Sequence, residues 1–416
     1  MKPNDETPES KGEVTYRARW IVPIVGPPLQ GGWIRLRDGT VRGLGRGRGP
    51  TAAIDLGDHA VLPGLVNAHT HLEFSDLRRP IAAGGDGRSL APLESWIGRV
   101  IATRAAATAT DKSAAVGAGI RESIDAGVRL LAEIMTPSTD RGIESVDPKI
   151  DIVTLSEVIG LSADRYSERF AAARAIAARD ETAGYSPHAP YSTHRDVITD
   201  VVRRARADGR TVAMHVAESP AERQLIREGT GGFADALKAI GVWQDGLFPW
   251  STVSPTGEDF FDLIDTLAEA PRALLIHGND FTSREIQRIA RYPELTVVYC
   301  PRTHDFFRYQ RHPIAECVAA GVRVALGTDS RASNPDLNLW NEVRFLLDKR
   351  QDVAPEMVLA TATLHGADAL GRPEAGRLAI GCRPGLGTVA TGATDEDGLY
   401  ADLATTPYRS LSDRAG

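Results

Sequence analysis

Hydrophobic and polar positions divide the chain into two textures. Residues 14–62 hold short alternating runs at 15–22, 32–37, 40–44 and 52–56, broken by glycines. A period of two marks strands with one face buried. Asp38-Gly39, set between two such runs, is a hairpin turn signal. The tail repeats the texture at 377–380, 385–391 and 399–403. The two ends are expected to pair into one small β-sandwich lobe, which would keep the termini close.

Between these ends, apolar β-branched runs alternate with stretches of helical period. The first run starts at 61 and is bent by Pro63-Gly64; the others are 128–135, 150–159, 184–191, 211–216, 273–277, 295–300 and 323–327. Helical patterns cover 93–107, 112–126, 163–179, 194–207, 221–228, 232–240, 259–268, 283–291, 313–319, 337–347 and 355–370. Residues 241–257, with Trp243, Trp250 and several glycines, read as an irregular excursion. Eight β-then-α units imply a parallel sheet, and eight closes a (β/α)8 TIM barrel. An open doubly wound sheet is the alternative. It would want a glycine-rich turn after its first strand, where His71-Leu72-Glu73 stands instead. The expected fold is α/β: a disordered lead-in at 1–12, an accessory β-sandwich from 13–62 plus 374–416, and a barrel over 63–373.

Composition narrows the partners. With 416 residues, 42% hydrophobic and 25% charged, the chain suits one large barrel and a smaller lobe. A net charge of −7 and the lack of a concentrated basic patch argue against nucleic acid or an anionic membrane as partner. No apolar run reaches about 18 residues, so no membrane span is expected. The polar N-terminus has no apolar core and does not read as a secretory signal. Cys300, Cys317 and Cys382 lack disulfide or zinc-knuckle spacing, which fits a reducing cytoplasm.

Candidate chemistry collects at the strand ends, where barrel enzymes keep their reactive groups. His69 and His71 are two apart, so a strand places both on one face. Two imidazoles so placed can hold one metal ion, or be merely buried and hydrogen-bonded. His188, His215, Glu218, His277, Cys300, Arg302, His304 and Asp329 stand at five further strand ends. A purely structural role does not predict that most of the ten histidines should cluster in this way.

The series PGLVNAHTH, HVAE, HGND and LGTDS resembles the amidohydrolase superfamily, and more narrowly its mononuclear deaminase and chlorohydrolase-like branch. The resemblance spans about 14–403 and implies a (β/α)8 metal-dependent hydrolase. It implies that His69, His71, His215 and Asp329 ligate one divalent ion, with Zn2+ best suited and Fe2+ tolerated. The ion would bring its water to a pKa near 7, giving a nucleophile at neutral pH. Glu218 would protonate a ring nitrogen and then the leaving amine. His277 would stabilise developing charge, and His188 would point at substrate. Binuclear members bridge two metals with a carboxylated lysine near strand four. None of the six lysines stands there, which favours one metal. The segment from His215 to Phe233 is similar to deaminases of adenine-bearing nucleosides.

Several readings stay open. Glu218 is alternatively a helix N-terminal carboxylate, and His277 a polar barrel layer. Cys300 reads as a small core residue. Arg302 and His304 contact an anionic or polar part of substrate, or do not. Glu157 recognises substrate or is buried structure. His59, His194, His312 and His365 read as surface or capping residues. Thr303-His304 stands where many relatives have Ser-Asn, and the segment from Ile380 to Thr391 departs from the usual final sandwich strand. The expected activity is hydrolytic deamination of an amino-substituted heterocycle, a purine, pyrimidine or adenine nucleoside. Hydrolysis of another bond at the same site, such as ring dechlorination or amide cleavage, is the alternative. A catalytically silent binding barrel is disfavoured by the complete set of candidate ligands. The partner is a small molecule. Homodimers are common among the relatives, and no stretch proves an interface.

Overall fold

The computed structural model describes residues 12–50, 52–82, 92–136, 149–250 and 259–411. The lead-in at 1–11 and the excursion's residues 251–257 lie outside them. Eight strands form one parallel sheet in chain order: Leu65–Thr70, Val128–Met135, Asp151–Val158, Gly184–Pro187, Thr211–Val216, Arg272–His277, Leu295–Tyr299 and Arg323–Leu326. A parallel bridge between Thr70 and Asp329 joins the first strand to the end of the eighth and closes the barrel. Five of these strands, the first and those in fourth to seventh order apart from Arg272, are buried along their whole length, because helices cover the outside while side chains fill the inside. Val66, Ala68, Leu130, Ala132, Leu155, Ala213, Leu274, Ile276 and Val298 form the apolar filling.

The helices follow from local signals. Arg195–Asp208 buries Val197, Ile198, Val201, Val202 and Ala205, spaced by three and four, against the strands. Its N-terminus is capped by the His194 ring, which accepts from Asp196 N–H, and Gly209 ends it at φ 71°. Ala109–Asp125 opens with a capping box between Thr108 and Asp111. The pattern at 355–370 is two helices, Pro355–Thr361 and Leu364–Ala369, broken at Thr363. A short helix at Pro301–Phe306, not expected from the pattern, starts on Pro301 directly after the seventh strand.

Both chain ends meet, as expected. Glu13–Ile21, Leu29–Arg37, Thr40–Arg46, Ile54–Asp55 and His59–Pro63 join Leu386–Ala390 and Tyr408–Ser410 in one continuous mixed sheet of seven strands. The segment 399–403, read as a strand, is instead part of helix Glu396–Thr405. Asp395 caps that helix, and Leu399 and Leu403, one helical turn apart, are its buried face. The apolar run at 61 is shared by the two sheets, because Gly64 turns it from one into the other. A Cβ on Gly64 would lie 2.3 Å from Arg129 Cγ and 2.7 Å from the Pro384 carbonyl. No helix among the described residues is long and apolar enough to cross a membrane.

The closing strands are packed just as tightly. A Cβ at position 387 would lie 1.9 Å from Tyr408 Cζ, and the Tyr408 hydroxyl donates to the Pro63 carbonyl at 3.0 Å. Gly387→Ala is therefore expected to destabilise the protein by about 1–3 kcal/mol. Urea or thermal denaturation beside the unaltered chain checks this.

Candidate active site and metal centre

Barrel closure sets the first distances. Asp329 N–H donates to the His69 carbonyl at 3.1 Å, so the eighth strand's carboxylate stands beside the first strand's imidazoles. Asp329 Oδ1 is 3.6 Å from His69 Nε2 and 3.9 Å from His71 Nε2. From the fifth strand, His215 Nε2 comes within 3.3 Å of His71 Nε2. His277, at the end of the sixth, lies with its ring 5.8 Å from that of His69 and 5.4 Å from that of His215. All five groups are buried.

Two overlapping groups of these donors are placed so that each could hold a metal ion. Ligand-capable atoms of His69, His71 and Asp329 lie within 4.8 Å of one another, as do those of His69, His215 and His277. A tetrahedral site with bonds of about 2.0–2.1 Å has edges of roughly 3.4 Å, close to the separations seen here. Both ring nitrogens of His69 are buried without a hydrogen-bond partner, a costly state unless a ligand satisfies one. His215 Nδ1 is 2.7 Å from the His188 carbonyl; donating there leaves the Nε2 lone pair facing the cluster. Burial lowers the pKa of His71 and His215, so both stay neutral donors. Burial also lowers His277, to about 3. Burial alone would raise Asp329, but the neighbouring imidazoles, His69 foremost, hold it well below the carboxylate range.

Glu218 is buried beside the cluster without joining it. Its Oε1 lies 3.5 Å from His277 Nε2 and its Oε2 accepts from the Tyr191 hydroxyl at 2.9 Å. Burial pushes its carboxyl up to about 8. Three turns at the strand ends are left-handed: Ala217 at φ 54°, His277 at 73° and Asp329 at 57°. Such conformations cost on the order of 1–3 kcal/mol each unless the surroundings hold them. Glu222 accepts the N–H groups of Ala217 and Glu218 at 3.1 and 2.8 Å. His312 Nε2 is 2.9 Å from the His277 carbonyl, and Ser333 donates to Asp329 Oδ2 at 2.8 Å. On the opposite side, buried Glu133 accepts from Thr70 Oγ1 at 2.6 Å and from Leu72 N–H at 2.9 Å, bracketing His71.

These groups open into a cleft of about 960 Å³ lined by His71, His188, His215, Glu218, His277 and Asp329 at its base, with Trp96, Arg104 and Phe233 among its walls. His188 lines it, its Nδ1 held 2.7 Å from Ser192 Oγ. Glu157 is fully buried and is not one of the lining residues. It reaches the cleft through Arg104 Nη1 at 3.2 Å and His188 Nε2 at 4.0 Å. Arg104 Nη2 also meets Glu73 Oε1 at 2.7 Å. Burial would raise Glu157, but Arg104 and then His188 hold it low. Burial raises Glu73 despite Arg104.

Arg302 and His304 are not among the lining residues. The helix after the seventh strand carries them aside, where Arg302 pairs with Asp336 at 2.8 Å and His304 packs against Tyr299, Tyr309 and His312. His312 is no surface residue: it is fully buried and stacked on Tyr299 at 3.7 Å. Cys300 is buried with its thiol pushed up by burial, a core residue as read. Glu73, Arg104, Glu133, Tyr191, Glu222 and Ser333 were not singled out from sequence. Of these, only the Ser219–Glu222 spacing, a helix-start signature, carried a local signal.

A closed (β/α)8 barrel with histidines and an aspartate converging at its C-terminal strand ends defines a class of barrel hydrolases. Residues 60–408 match the model of the Amidohydrolase family, and the chain belongs to that family. It is 29% identical over 397 residues to the 5-methylthioadenosine/S-adenosylhomocysteine deaminase of Moorella thermoacetica, covering 90% of this chain and 85% of that one. It is 27% identical over 345 residues to the aminodeoxyfutalosine deaminase of Deinococcus radiodurans, covering 77% and 76%. The Helicobacter pylori aminofutalosine deaminase, solved in complex with methylthio-coformycin, has the same fold: TM-score 0.80 at 19% identity, over 95% of this chain and 97% of that one.

Arg104→Ala would leave two buried carboxyls without their cation, at an expected cost of about 3–5 kcal/mol at neutral pH. Glu157 is held below its ordinary 4.5 in the folded protein. Its pairing therefore stabilises above that value and is lost as pH falls through the folded value. The deficit of the variant should shrink toward about pH 4, where the unpaired carboxyls take up protons. Urea denaturation of both proteins at the two pH values checks the sign.

Proposed function

We propose that the chain is a metal-dependent aminohydrolase that removes the amino group from an adenine-type ring carried by a small nucleoside-like molecule. The observation that supports this reading is a cluster of buried histidines and Asp329 at the strand ends with a buried carboxyl, Glu218, beside it. His69, His71, His215 and Asp329 would hold one divalent ion. Three nitrogens and one oxygen suit Zn2+, and Fe2+ is tolerated. When bound, such an ion supplies Lewis acidity that lets water act as nucleophile at neutral pH.

The protein's own groups do the rest. Glu218, whose carboxyl burial pushes up to about 8, is the group placed to donate a proton to a ring nitrogen and then return one to the departing amine. His277, kept neutral by burial, sits where its Nε2 can orient the attacking oxygen and stabilise charge developing there. His188 faces the ring from the fourth strand. Glu157 acts behind the wall, orienting His188 and Arg104 rather than touching substrate. The cleft volume of about 960 Å³ stands at the upper end of small-molecule sites, roughly 300–1,000 Å³. That leaves room for a sugar and substituent beyond the ring, in line with the substrates named for the relatives. The three free cysteines agree with a cytoplasmic setting.

Adenosine, 5′-methylthioadenosine, free aminopurines and aminopyrimidines form the test panel, with ammonia release as readout. Release from the nucleosides is expected. Chloride release from chlorinated rings without any ammonia would replace deamination by the alternative hydrolysis. Metal analysis should find about one divalent ion per chain. Glu218→Gln is expected to keep that ion and lose about 10²–10⁴-fold in kcat; loss of the ion instead would make Glu218 a ligand. Glu133→Gln, which weakens the brace around His71, is expected to lower metal affinity about 10–100-fold in a chelator competition.

A further inference from the structure

The main chain of Glu218 is fixed on both sides. Glu222 accepts its N–H, and Asn279 Nδ2 donates to its carbonyl at 3.0 Å. These contacts do not decide which carboxyl oxygen faces the reacting atoms. Tyr191 makes that difference. Its hydroxyl, on the loop after the fourth strand, donates to Oε2 at 2.9 Å. Its ring is stacked on Phe233 with centroids 4.3 Å apart and planes 12° from parallel. It also stands edge-on to His188 at 5.8 Å. The ring cannot swing without breaking that stack, so the donor is held in place. Oε1 is left on the His277 side of the cleft.

We infer that Tyr191 is a positioning residue for Glu218: its hydroxyl occupies Oε2, so that the proton to be transferred sits on Oε1. The inference rests on the acid role proposed for Glu218. An oxygen already accepting the tyrosine proton serves as the carbonyl end of the carboxyl, and the O–H belongs to the other oxygen. In the first transfer the Oε1–H bond breaks, a bond to the ring nitrogen forms, and Glu218 is left as carboxylate. As the water's oxygen bonds to the ring carbon, Glu218 takes one of its protons and passes it to the amine. The C–N bond breaks, ammonia departs, and the remaining hydroxyl proton returns to Oε1 as the ring carbonyl forms, restoring the acid. Tyr191 keeps its own proton throughout. Burial, with Glu218 beside it, holds the phenol well above its ordinary value.

Phe233 packs in one apolar cluster with Trp96, both on the cleft wall. The wall that meets the substrate thus also sets the acid's orientation.

Tyr191→Phe keeps the ring and its stack while removing the hydroxyl. With adenosine and 5′-methylthioadenosine as probes, kcat is expected to fall about 10- to 100-fold, the scale of a misplaced reacting group, with KM nearly unchanged. The loss should vanish in a Glu218→Gln background, because Tyr191 acts only through that carboxyl. A loss that persists there, or one carried wholly by KM, overturns the inference. An infrared readout needs no substrate. The Glu218 carboxyl band, assigned by its disappearance in Glu218→Gln, should shift in Tyr191→Phe. An unmoved band overturns the inference. A shifted band with neither probe deaminated upholds the contact while the proposed reaction fails.

Discussion

The bridge between Thr70 and Asp329 joins the first and eighth strands, and the site depends on it. A parallel barrel must close on itself to leave no unpaired edge. Here the residues that close it are also chemical ones. The main-chain bond from Asp329 to His69 brings a carboxylate from residue 329 against imidazoles from residues 69 and 71. An open sheet would leave those groups at opposite edges. His215 and His277, from strands in the middle of the series, approach the same point because every strand end leans on one ring.

Closure brings buried polar groups together at a cost, and the structure offsets that cost with a surround of acids. Glu133 holds the turn around His71, and Glu222 holds the left-handed turn before Glu218. Glu342 accepts from Arg302 N–H and from Asn334 beside the Asp329 turn. Each acid is buried and satisfied by main-chain or side-chain donors, the condition under which a buried polar network rigidifies a site. The strained backbone at Ala217, His277 and Asp329 persists because these contacts over-determine it.

The cleft wall is tied to the same frame. Helix Leu93–Ala106 lies across the mouth and contributes Trp96 and Arg104. Arg104 reaches down to acids on the first strand's turn and the third strand. Its guanidinium serves as an anchor between the wall and the barrel, not as a free cation for an anionic substrate. Arg302 and His304 likewise stand outside the cleft lining, Arg302 engaged by Asp336 and buried Glu342 and His304 packed against Tyr299, Tyr309 and His312.

Much was legible before folding. Alternating and helical periods separate the lobe from the barrel, because strands buried on both faces need continuous apolar runs and amphipathic helices need spaced ones. Histidine and acid motifs at strand ends are local in sequence, so His69, His71, His215, Glu218, His277 and Asp329 could be singled out. The helix at Glu396–Thr405 was misread because Leu399 and Leu403 fit either period over so short a stretch. What tertiary structure alone decided is which polar residues meet. Glu73, Arg104 and Glu157 come from three separate segments, as do Tyr191, Glu218 and Phe233. His312 reads as a surface residue until Tyr299 stacks on it. Sequence fixes periodicity and local chemistry, which act over a few residues. Burial and pairing between distant residues arise only when the barrel closes and removes water from between them.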